Sequence, residues 1–235
     1  MMMKVVQHPL VQLPMGPPPD FTYDPPQKPF LEIVHQDDDV LLLNKPAGLL
    51  SVPGKPCSHK DCLETRVQSR FPFAKPVHRL DMSTSGLLLF GINDKAHRYL
   101  SIGFERRLVD KTYSALVFGH MSEHEGQIDL PLTCDWPNRP RQKVDFETGR
   151  ASQTSWRVLG VEGDHTRVEL TPLTGRSHQL RVHMASMGHP ILGDRFYAHK
   201  EANQAAPRLM LHAGSLSFKH PRDGERVSFT AACPF

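Results

Sequence analysis

The chain has 235 residues, of which 39% are hydrophobic and 23% are charged, and its formal net charge is +3. A chain of this length and apolar content can bury its own core, so we expect a globular fold. Because the positive excess is small, a nucleic-acid partner would have to bind a local basic surface. No stretch approaches the ~20 apolar residues of a membrane span, and the N-terminus lacks the apolar run of a signal peptide. We therefore expect a cytoplasmic protein without a membrane segment.

The cysteine and histidine spacings do not predict a metal site. The four cysteines form no CxxC pair, which is typical of ordinary reduced residues. Cys57, His59 and Cys62 lack the second half of a zinc motif, and His183 and His189 stand too far apart to be a persuasive ligand pair. The motifs GxSxG, GxxxxGK[ST] and GxGxxG are also absent. We expect neither a metal nor a cofactor.

The N-terminal segment differs in composition from the rest of the chain. The first 29 residues contain 8 of the 21 prolines, which predicts an extended or disordered leader over residues 1–29. A folded domain is expected over residues 30–235. It begins with the apolar runs FLEIV and VLLLNK, which the polar segment QDDD separates, and this pattern predicts two paired strands.

Two segments have the spacing of amphipathic helices. In DCLETRVQSRF, Leu63, Val67 and Phe71 recur every four residues. NDKAHRYLSIGFERR follows a plausible N-cap at Asn93. Its predicted core-facing stripe consists of Ala96, Tyr99, Leu100, Gly103 and Phe104.

Strand-like segments dominate the rest of the chain. They are KTYSALVFG, GQIDLPL, ASQTSWRVLG, HTRVELTPL, PRLMLHAGSLSF and RVSFT. The segment SHQLRVHMASM returns to helical spacing through Leu180, Met184 and Met187. Strands with interspersed helices and no regular βα repeat predict an α+β domain with a mixed, mainly antiparallel sheet flanked by helices and loops.

Residues 78–90, HRLDMSTSGLLLF, place a charged cluster directly before an apolar run. The run LLLF is too short for a buried helix and therefore predicts a core strand. His78, Arg79 and Asp81 then lie at the start of that strand. Taken alone, Arg79 and Asp81 also fit a surface ion pair, which usually contributes less than ~1 kcal/mol.

Two further segments contain candidate functional residues. Tyr113, in KTYSALV, lies on a predicted strand, where a tyrosine either packs into the core or serves a site. In GRSHQLRVH, a helix that begins near Ser177 would place His178 and Arg181 on one face, opposite Leu180. That face is either solvated or suited to phosphate and carboxylate partners.

In this order, HRLDMSTSGLLLF, KTYSALV and GRSHQLRVHM resemble the three signature segments of the RluA family of pseudouridine synthases. NKPAGLLSVPG before them and GHPILGDRFY after them also match, so the resemblance extends over residues 28–235. The stretches LPLTCDWPNRPRQKV and ETG are similar to the dual-specificity member of the family more than to its ribosome-only relatives. The resemblance implies the pseudouridine synthase fold in a single catalytic domain, with structured RNA as the partner. The implied substrates are a stem-loop of 23S ribosomal RNA and the anticodon stem-loops of transfer RNA.

The resemblance also implies roles for individual residues. Enzymes of this family isomerise uridine by breaking the bond from the base to C1′, turning the base, and joining C5 to C1′. Asp81 matches the catalytic aspartate, and Tyr113 matches the tyrosine that stacks on the base and takes the C5 proton. Arg181 matches the arginine that pairs with the aspartate, which favours the ionised carboxylate. Leu180 matches the residue that lines the uracil pocket, and Arg79 matches an arginine that fills the gap left by the flipped nucleotide.

The leader is too short for the small RNA-binding domain that many relatives carry, so we expect the catalytic domain to supply its own RNA surface. The residues expected on this surface, besides Arg79 and Leu180, are His78, Trp136, Arg139, Arg141, Lys143, Arg176 and His178. The basic segment 136–143 also fits an exposed loop that binds nothing.

Three alternatives to a dual-specificity synthase stay open at this point, and two of them belong to another class of protein. One is an RNA-binding protein of the same fold that performs no chemistry, although the presence of Asp81, Tyr113 and Arg181 argues against it. Another is a synthase that acts on only one class of RNA. A small-molecule hydrolase would need a nucleophile and base pair that the sequence lacks. We expect the protein to be a monomer.

Overall fold

The computed structural model describes Val11, Leu13 and residues 22–235. The predicted leader, residues 1–29, therefore lies mostly outside the described residues. Its last part, residues 22–29, has no helix or strand. Tyr23 in this part is anchored, because its hydroxyl donates to the carbonyl oxygen of Asp61 at 2.7 Å and accepts from the Leu50 N–H at 3.0 Å. A boundary at residue 30 stays a prediction.

The described residues form twelve strands and four α-helices. The strands are β1 (Ile33–Gln36), β2 (Val40–Lys45), β3 (Lys75–Pro76), β4 (Ser85–Gly91), β5 (Asp110–Phe118), β6 (Glu125–Asp129), β7 (Leu132–Cys134), β8 (Gln142–Val144), β9 (Gln153–Glu162), β10 (His165–Pro172), β11 (Leu211–Lys219) and β12 (Arg226–Thr230). The helices are α1 (Leu63–Gln68), α2 (Asp94–Glu105), α3 (Gln179–Ser186) and α4 (Lys200–Gln204). Among the described residues, no helix is long and apolar enough to cross a membrane.

The chain divides into two compact units. The first unit consists of residues 22–111 and 212–235, and the second consists of residues 112–211 with Val11 and Leu13. Each unit has its own buried apolar cluster.

In the first unit, β1 pairs with β2, β2 with β4, β3 with β4, and β11 with β12, all antiparallel. The remaining pairing, β4 with β11, is parallel. The predicted pair of strands around QDDD is confirmed, and Asp37 closes the turn because its Oδ1 accepts from the N–H groups of Asp39 and Val40. The apolar side chains of β2 and β4 pack with Leu100, Leu216 and Phe218.

Gly86 permits the close parallel approach of β4 and β11. Its φ is +115°, and a Cβ atom at this position would lie 2.3 Å from the carbonyl oxygen of Ala213. No side chain larger than hydrogen fits there without moving the backbone. The strand that follows the HRLD segment is therefore fixed against its neighbour.

In the second unit, β5 pairs with β10, β10 with β9, and β9 with β6, and all three pairings are antiparallel. A separate antiparallel hairpin consists of β7 and β8. The main apolar cluster packs β5, β9 and β10 against α3, and its members include Val117, Trp156, Leu170, Leu180 and Met184. The predicted α+β class with a mixed, mainly antiparallel sheet is confirmed.

Both amphipathic helices predicted before residue 110 are confirmed as α1 and α2. The Asn93 side chain accepts a hydrogen bond from the Ala96 N–H at 2.9 Å, which is the predicted N-cap. One member of the predicted core stripe is wrong, since Tyr99 is 41% exposed whereas Leu100 is buried.

The solvated-face interpretation of the GRSHQLRVH helix is also wrong. All eight residues of α3 are buried, including Arg181. His178 precedes the helix and has a left-handed backbone, with φ at 54°, so it does not share a helical face with Arg181. A short helix surrounded by other elements buries every side, and its polar residues then need partners inside the protein.

Candidate active site

The backbone next to Asp81 is held by the NKPAGLLSVPG segment. Lys45 is fully buried in this segment. Its Nζ donates to three backbone carbonyl oxygens, those of Pro46 at 2.9 Å, Leu49 at 2.7 Å and Met82 at 3.1 Å. A buried ammonium group requires such acceptors, and it ties the residue after Asp81 to the end of β2.

Ser51 holds the residue before Asp81. Its Oγ donates to the carbonyl oxygen of Leu80 at 2.7 Å and accepts from the N–H of the same residue at 3.0 Å. The N–H of Gly48 adds a bond of 2.8 Å to the carbonyl oxygen of Met82. The predicted turn follows, since the Thr84 N–H donates to the carbonyl oxygen of Asp81 at 3.1 Å. The carboxylate of Asp81 therefore projects from a backbone that is fixed on both sides.

His78 is packed inward. Its Nε2 accepts a hydrogen bond from the Leu89 N–H at 3.1 Å, and its ring stacks on Phe104 with the centroids 4.6 Å apart. Burial, and to a lesser extent the charge of Lys111, lower the pKa of His78 to about 3. A neutral His78 thus attaches the loop to α2 and β4, while its neighbour Arg79 is exposed to solvent.

Tyr113 lies on β5, opposite Leu170 of β10. It is partly buried and packs against the main apolar cluster of the second unit. Leu180 belongs to the same cluster and is 7% exposed. The ring of Tyr113 is therefore supported from behind by the core of the second unit.

Arg181 forms a bidentate ion pair with Asp194, a residue that sequence reasoning missed. The Nε–Oδ2 distance is 2.8 Å and the Nη2–Oδ1 distance is 2.7 Å, and both side chains are buried. Asp194 Oδ1 also accepts from the N–H groups of Phe196 and Tyr197. Burial raises the pKa of Asp194, but the charge and hydrogen bonds of Arg181 and these N–H groups outweigh it and lower the pKa below its ordinary value. Asp194 is therefore ionised, and it fixes the direction of the Arg181 guanidinium.

Tyr197 connects the start of α3 to the β7–β8 hairpin. Its hydroxyl accepts from the Gln142 N–H at 2.8 Å and lies 2.6 Å from Nδ1 of His178. The contact between the Tyr197 hydroxyl and Nδ1 of His178 has the length of a hydrogen bond. His178 is thus held in its left-handed conformation by Tyr197.

Gln179 organises the turn that carries Arg176. Its Oε1 accepts from the Arg176 N–H at 3.0 Å, and its Nε2 donates to the Gln153 carbonyl oxygen at 2.9 Å. The Arg176 Nε donates to the carbonyl oxygen of Ala151 at 3.4 Å. Arg176 therefore stands on a rigid turn that is partly open to solvent.

The β7–β8 hairpin carries four of the nine residues predicted to bind RNA, which are Trp136, Arg139, Arg141 and Lys143. Trp136 is 67% exposed, and the guanidinium of Arg139 lies 4.8 Å from the centre of its ring. Lys143 is half exposed, with its Nζ 3.5 Å from Asp145. Arg141 differs from these residues, because it is only 7% exposed and its guanidinium lies over the ring of Phe196. The prediction that Arg141 belongs to an exposed basic loop is therefore corrected: its side chain packs into the unit.

Two segments that match the family, NKPAGLLSVPG and GHPILGDRFY, contain Lys45, Ser51, Asp194 and Tyr197, but the sequence assigns none of these residues a role. Each of them acts through a partner 13 to 37 residues away in the chain. In the part of the chain that the structure describes, no group of three or more His, Cys, Asp and Glu side chains is arranged to hold a metal ion.

Comparisons with known proteins identify this combination of elements. The chain matches the RNA pseudouridylate synthase family over residues 39–186. It is 54% identical over 214 residues to the dual-specificity RNA pseudouridine synthase RluA of Escherichia coli strain K12, which covers 91% of this chain and 98% of the relative. The dual-specificity RNA pseudouridine synthase RluA of Pasteurella multocida is 52% identical over 215 residues, with the same shares covered.

A solved structure shows the same architecture. Human RNA pseudouridylate synthase domain containing 1 superposes with a TM-score of 0.72 at 33% identity, covering 87% of this chain and 84% of that one. Fold and sequence together define an RNA-modifying isomerase, and the chain belongs to the RNA pseudouridylate synthase family. The resemblance that the sequence motifs indicated is confirmed, and with it the isomerisation of uridine in RNA as the class of reaction.

Proposed function

We propose that this enzyme converts specific uridines of structured RNA to pseudouridine with Asp81 as the group that acts on the sugar. In the reaction, the C1′–N1 bond breaks, a C1′–C5 bond forms, C5 loses a proton and N1 gains one. Atoms and electrons balance within the uridine, so the reaction needs no oxidant, reductant or second substrate. We propose that the enzyme works without a metal or cofactor and as a monomer.

Asp81 suits this role because a carboxylate can act at C1′ as a nucleophile or as a base on the sugar. The observation that carries the proposal is the double anchoring of its backbone, by Lys45 and Gly48 at Met82 and by Ser51 at Leu80. A backbone clamped on both sides orients its side chain before substrate arrives, and orientation is a large part of the rate gain in enzymes.

The other two catalytic residues are assigned complementary tasks. Tyr113 is proposed to stack on the uracil and to take the C5 proton, for which its supported ring is suited. Arg181 is proposed to favour the ionised form of the catalytic carboxylate, and the bond to Asp194 keeps its guanidinium oriented. Leu180 is proposed to contact the flipped base at its apolar edge.

The substrate-binding residues divide into those that contact RNA and those that support them. Arg79 is exposed and is proposed to occupy the space left by the flipped nucleotide. Contacts with RNA are assigned to Trp136, Arg139, Lys143 and Arg176, which are at least partly exposed. His78, His178 and Arg141 are proposed to position these residues.

The proposed substrates are a stem-loop of 23S ribosomal RNA and transfer-RNA anticodon stem-loops in the cytoplasm. Support comes from relatives more than 50% identical that are named dual-specificity RNA pseudouridine synthases. The test uses transcripts of both RNA classes labelled with tritium at C5 of uridine, because formation of the new bond expels that hydrogen. Release from both transcripts supports dual specificity. Release from one transcript alone would restrict the substrates to that class of RNA. Release from neither would indicate an RNA-binding protein of the same fold that performs no chemistry.

A further inference from the structure

The outer face of α2 is basic and aromatic, and the proposed reaction does not use it. Lys95, Arg98, Tyr99, Ile102 and Arg106 are all exposed. In an α-helix, residues 95, 99, 102 and 106 line one face and residue 98 adjoins it. The opposite side of the helix, with Ala96 and Leu100, is buried.

Three exposed cations of the first unit that have carboxylate partners serve as a comparison for those on this face. Lys75, Arg222 and Arg226 each pair with a carboxylate, at 2.6 Å to Asp94, 3.0 Å to Asp38 and 2.6 Å to Asp110 respectively. By contrast, no carboxylate of the described residues lies within 4.0 Å of the cationic groups of Lys95, Arg98, Arg106 or Arg107. Four neighbouring cations without a carboxylate within 4.0 Å outnumber the exposed Glu105 beside them, and such an excess of positive charge attracts a polyanion.

Arg107 adds an independent indication. It has a left-handed backbone, with φ at 58°, at the position after the helix where glycine is favoured. The Leu108 N–H bonds to the carbonyl oxygen of Gly103 at 2.9 Å, and the Arg107 N–H bonds to that of Phe104 at 3.1 Å, which together close the helix end. The chain places a long cation where glycine would be unstrained, and such outliers concentrate at functional surfaces.

This face is attached to the loop that carries Asp81. Phe104, on the inner side of α2, stacks on His78, three residues before Asp81. Because a helix with its side chains is about 10–12 Å across, the outer face lies about that far beyond His78. An RNA that binds at Asp81 and extends past His78 by about one helix diameter would reach this face.

We propose that the outer face of α2 is a second RNA-binding surface that holds the phosphate backbone of the substrate outside the modified loop. The inference rests on the proposed function. RNA fits better than a protein partner, because unpaired charges at the centre of a protein interface are disfavoured whereas cations alternating with an aromatic ring are typical of RNA-binding surfaces. The surface contributes affinity and orientation of the RNA and takes no part in bond making.

The test compares two triple variants that each remove three positive charges. The first is Lys95→Gln with Arg98→Gln and Arg106→Gln on α2. The matched control is Lys75→Gln with Arg222→Gln and Arg226→Gln, which removes the paired cations of the same unit. Both change the formal net charge from +3 to zero. Melting curves establish that both variants fold.

Binding is measured against salt concentration for a whole transfer-RNA transcript and for its isolated anticodon stem-loop. For the whole transcript, we expect the α2 variant to bind at least about tenfold more weakly and to flatten the salt slope by about two, since each lost phosphate contact lowers it by about 0.7–0.9. The control should change both quantities far less, and the stem-loop should bind the wild type and the α2 variant alike. The rate of tritium release at saturating RNA should be unchanged in both.

If the α2 variant and the control bind the whole transcript with the same affinity and the same salt slope, the proposal is overturned. A protein partner would then be the alternative ligand of this face. This outcome is distinct from failure of the proposed function, in which the wild-type enzyme binds RNA but releases no tritium. The binding comparison remains decisive for α2 in that case.

Discussion

The guanidinium of Arg181 and the carboxylate of Asp194 face each other through two hydrogen bonds, of 2.8 and 2.7 Å, inside the second unit. Both groups are almost wholly buried, so each charge offsets part of the cost of burying the other. The pair explains how an arginine with a proposed catalytic role is kept rigid within a helix that has no solvated side.

Removing either member of the Arg181–Asp194 pair should therefore lower the stability of the fold. Asp194→Asn removes the negative charge of the bidentate pair with the buried Arg181, and we expect the free energy of unfolding to fall by about 3–5 kcal/mol. Urea denaturation at neutral pH measures the change. Asp94→Asn, which breaks the exposed pair with Lys75, is the matched control and should leave the midpoint almost unchanged. A loss for Asp194→Asn no larger than for Asp94→Asn would contradict this account of the pair.

Two histidines with lowered pKa values should make the protein sensitive to mild acid. Burial lowers the pKa of His78 to about 3 and that of His183 to about 4, whereas an unfolded histidine titrates near 6.5. Below pH 6.5 the unfolded chain binds protons that the folded chain excludes, so stability falls as the pH drops from 6.5 towards 4. Each histidine contributes a slope of up to about 1.4 kcal/mol for each pH unit in that window.

Urea unfolding at pH 7, 6 and 5 checks the slope. The variant His78→Gln retains an acceptor for the Leu89 N–H but does not titrate. The slope of its free energy of unfolding against pH should therefore be smaller by the contribution of one histidine. An identical slope in the variant and the wild type would show that His78 does not have the lowered pKa.

The buried ammonium of Lys45 should matter for activity more than for RNA binding. Lys45→Met keeps the length and burial of the side chain but removes three hydrogen bonds, including the one to Met82. We expect kcat to fall by about a hundredfold, the effect of misplacing a catalytic group by about 1 Å, with RNA affinity little changed. Lys55→Met, at an exposed position, is the control. A folded Lys45→Met enzyme with wild-type kcat would show that this anchor is dispensable.

Arg139 and Arg141 are two residues apart but should respond differently to substitution. Arg139→Gln removes an exposed cation and should lower the salt slope of RNA binding by about 0.7–0.9. Arg141→Gln removes a buried cation packed over Phe196, so it should reduce stability and leave the salt slope unchanged. Filter binding over a salt series measures the RNA contacts, and urea denaturation measures stability. Equal salt slopes of RNA binding for the two variants would contradict the assignment of Arg139 to RNA binding and Arg141 to stability.

Local patterns in the sequence predicted the elements that local forces determine. Alternation and short apolar runs located the strands on either side of QDDD, and spacing with a side-chain cap located α2. The family motifs located Asp81, Tyr113 and Arg181. Periodicity nevertheless assigned Tyr99 to the core, because an exposed tyrosine and a buried one look alike in a helical pattern.

The supports of the site could not be predicted in this way. Arg181 looks the same in sequence whether it is solvated or paired with Asp194, since the partner is 13 residues away and reaches it only through the fold. The same holds for Lys45 and Met82, which are 37 residues apart. Buried polar residues are specified by tertiary partners, and a pattern of apolar and polar letters does not encode those partners.

If the carboxylate of Asp81 acts on the sugar, tritium release from RNA labelled at C5 of uridine should be lost in Asp81→Asn. The substitution keeps the shape of the side chain but removes its charge and nucleophilicity. RNA should still bind, because phosphate contacts and base stacking supply most of the affinity. A melting curve on the same sample shows whether the variant is folded. We predict no detectable release by the folded, RNA-bound variant, and release at more than about a hundredth of the wild-type rate would contradict the assignment of Asp81.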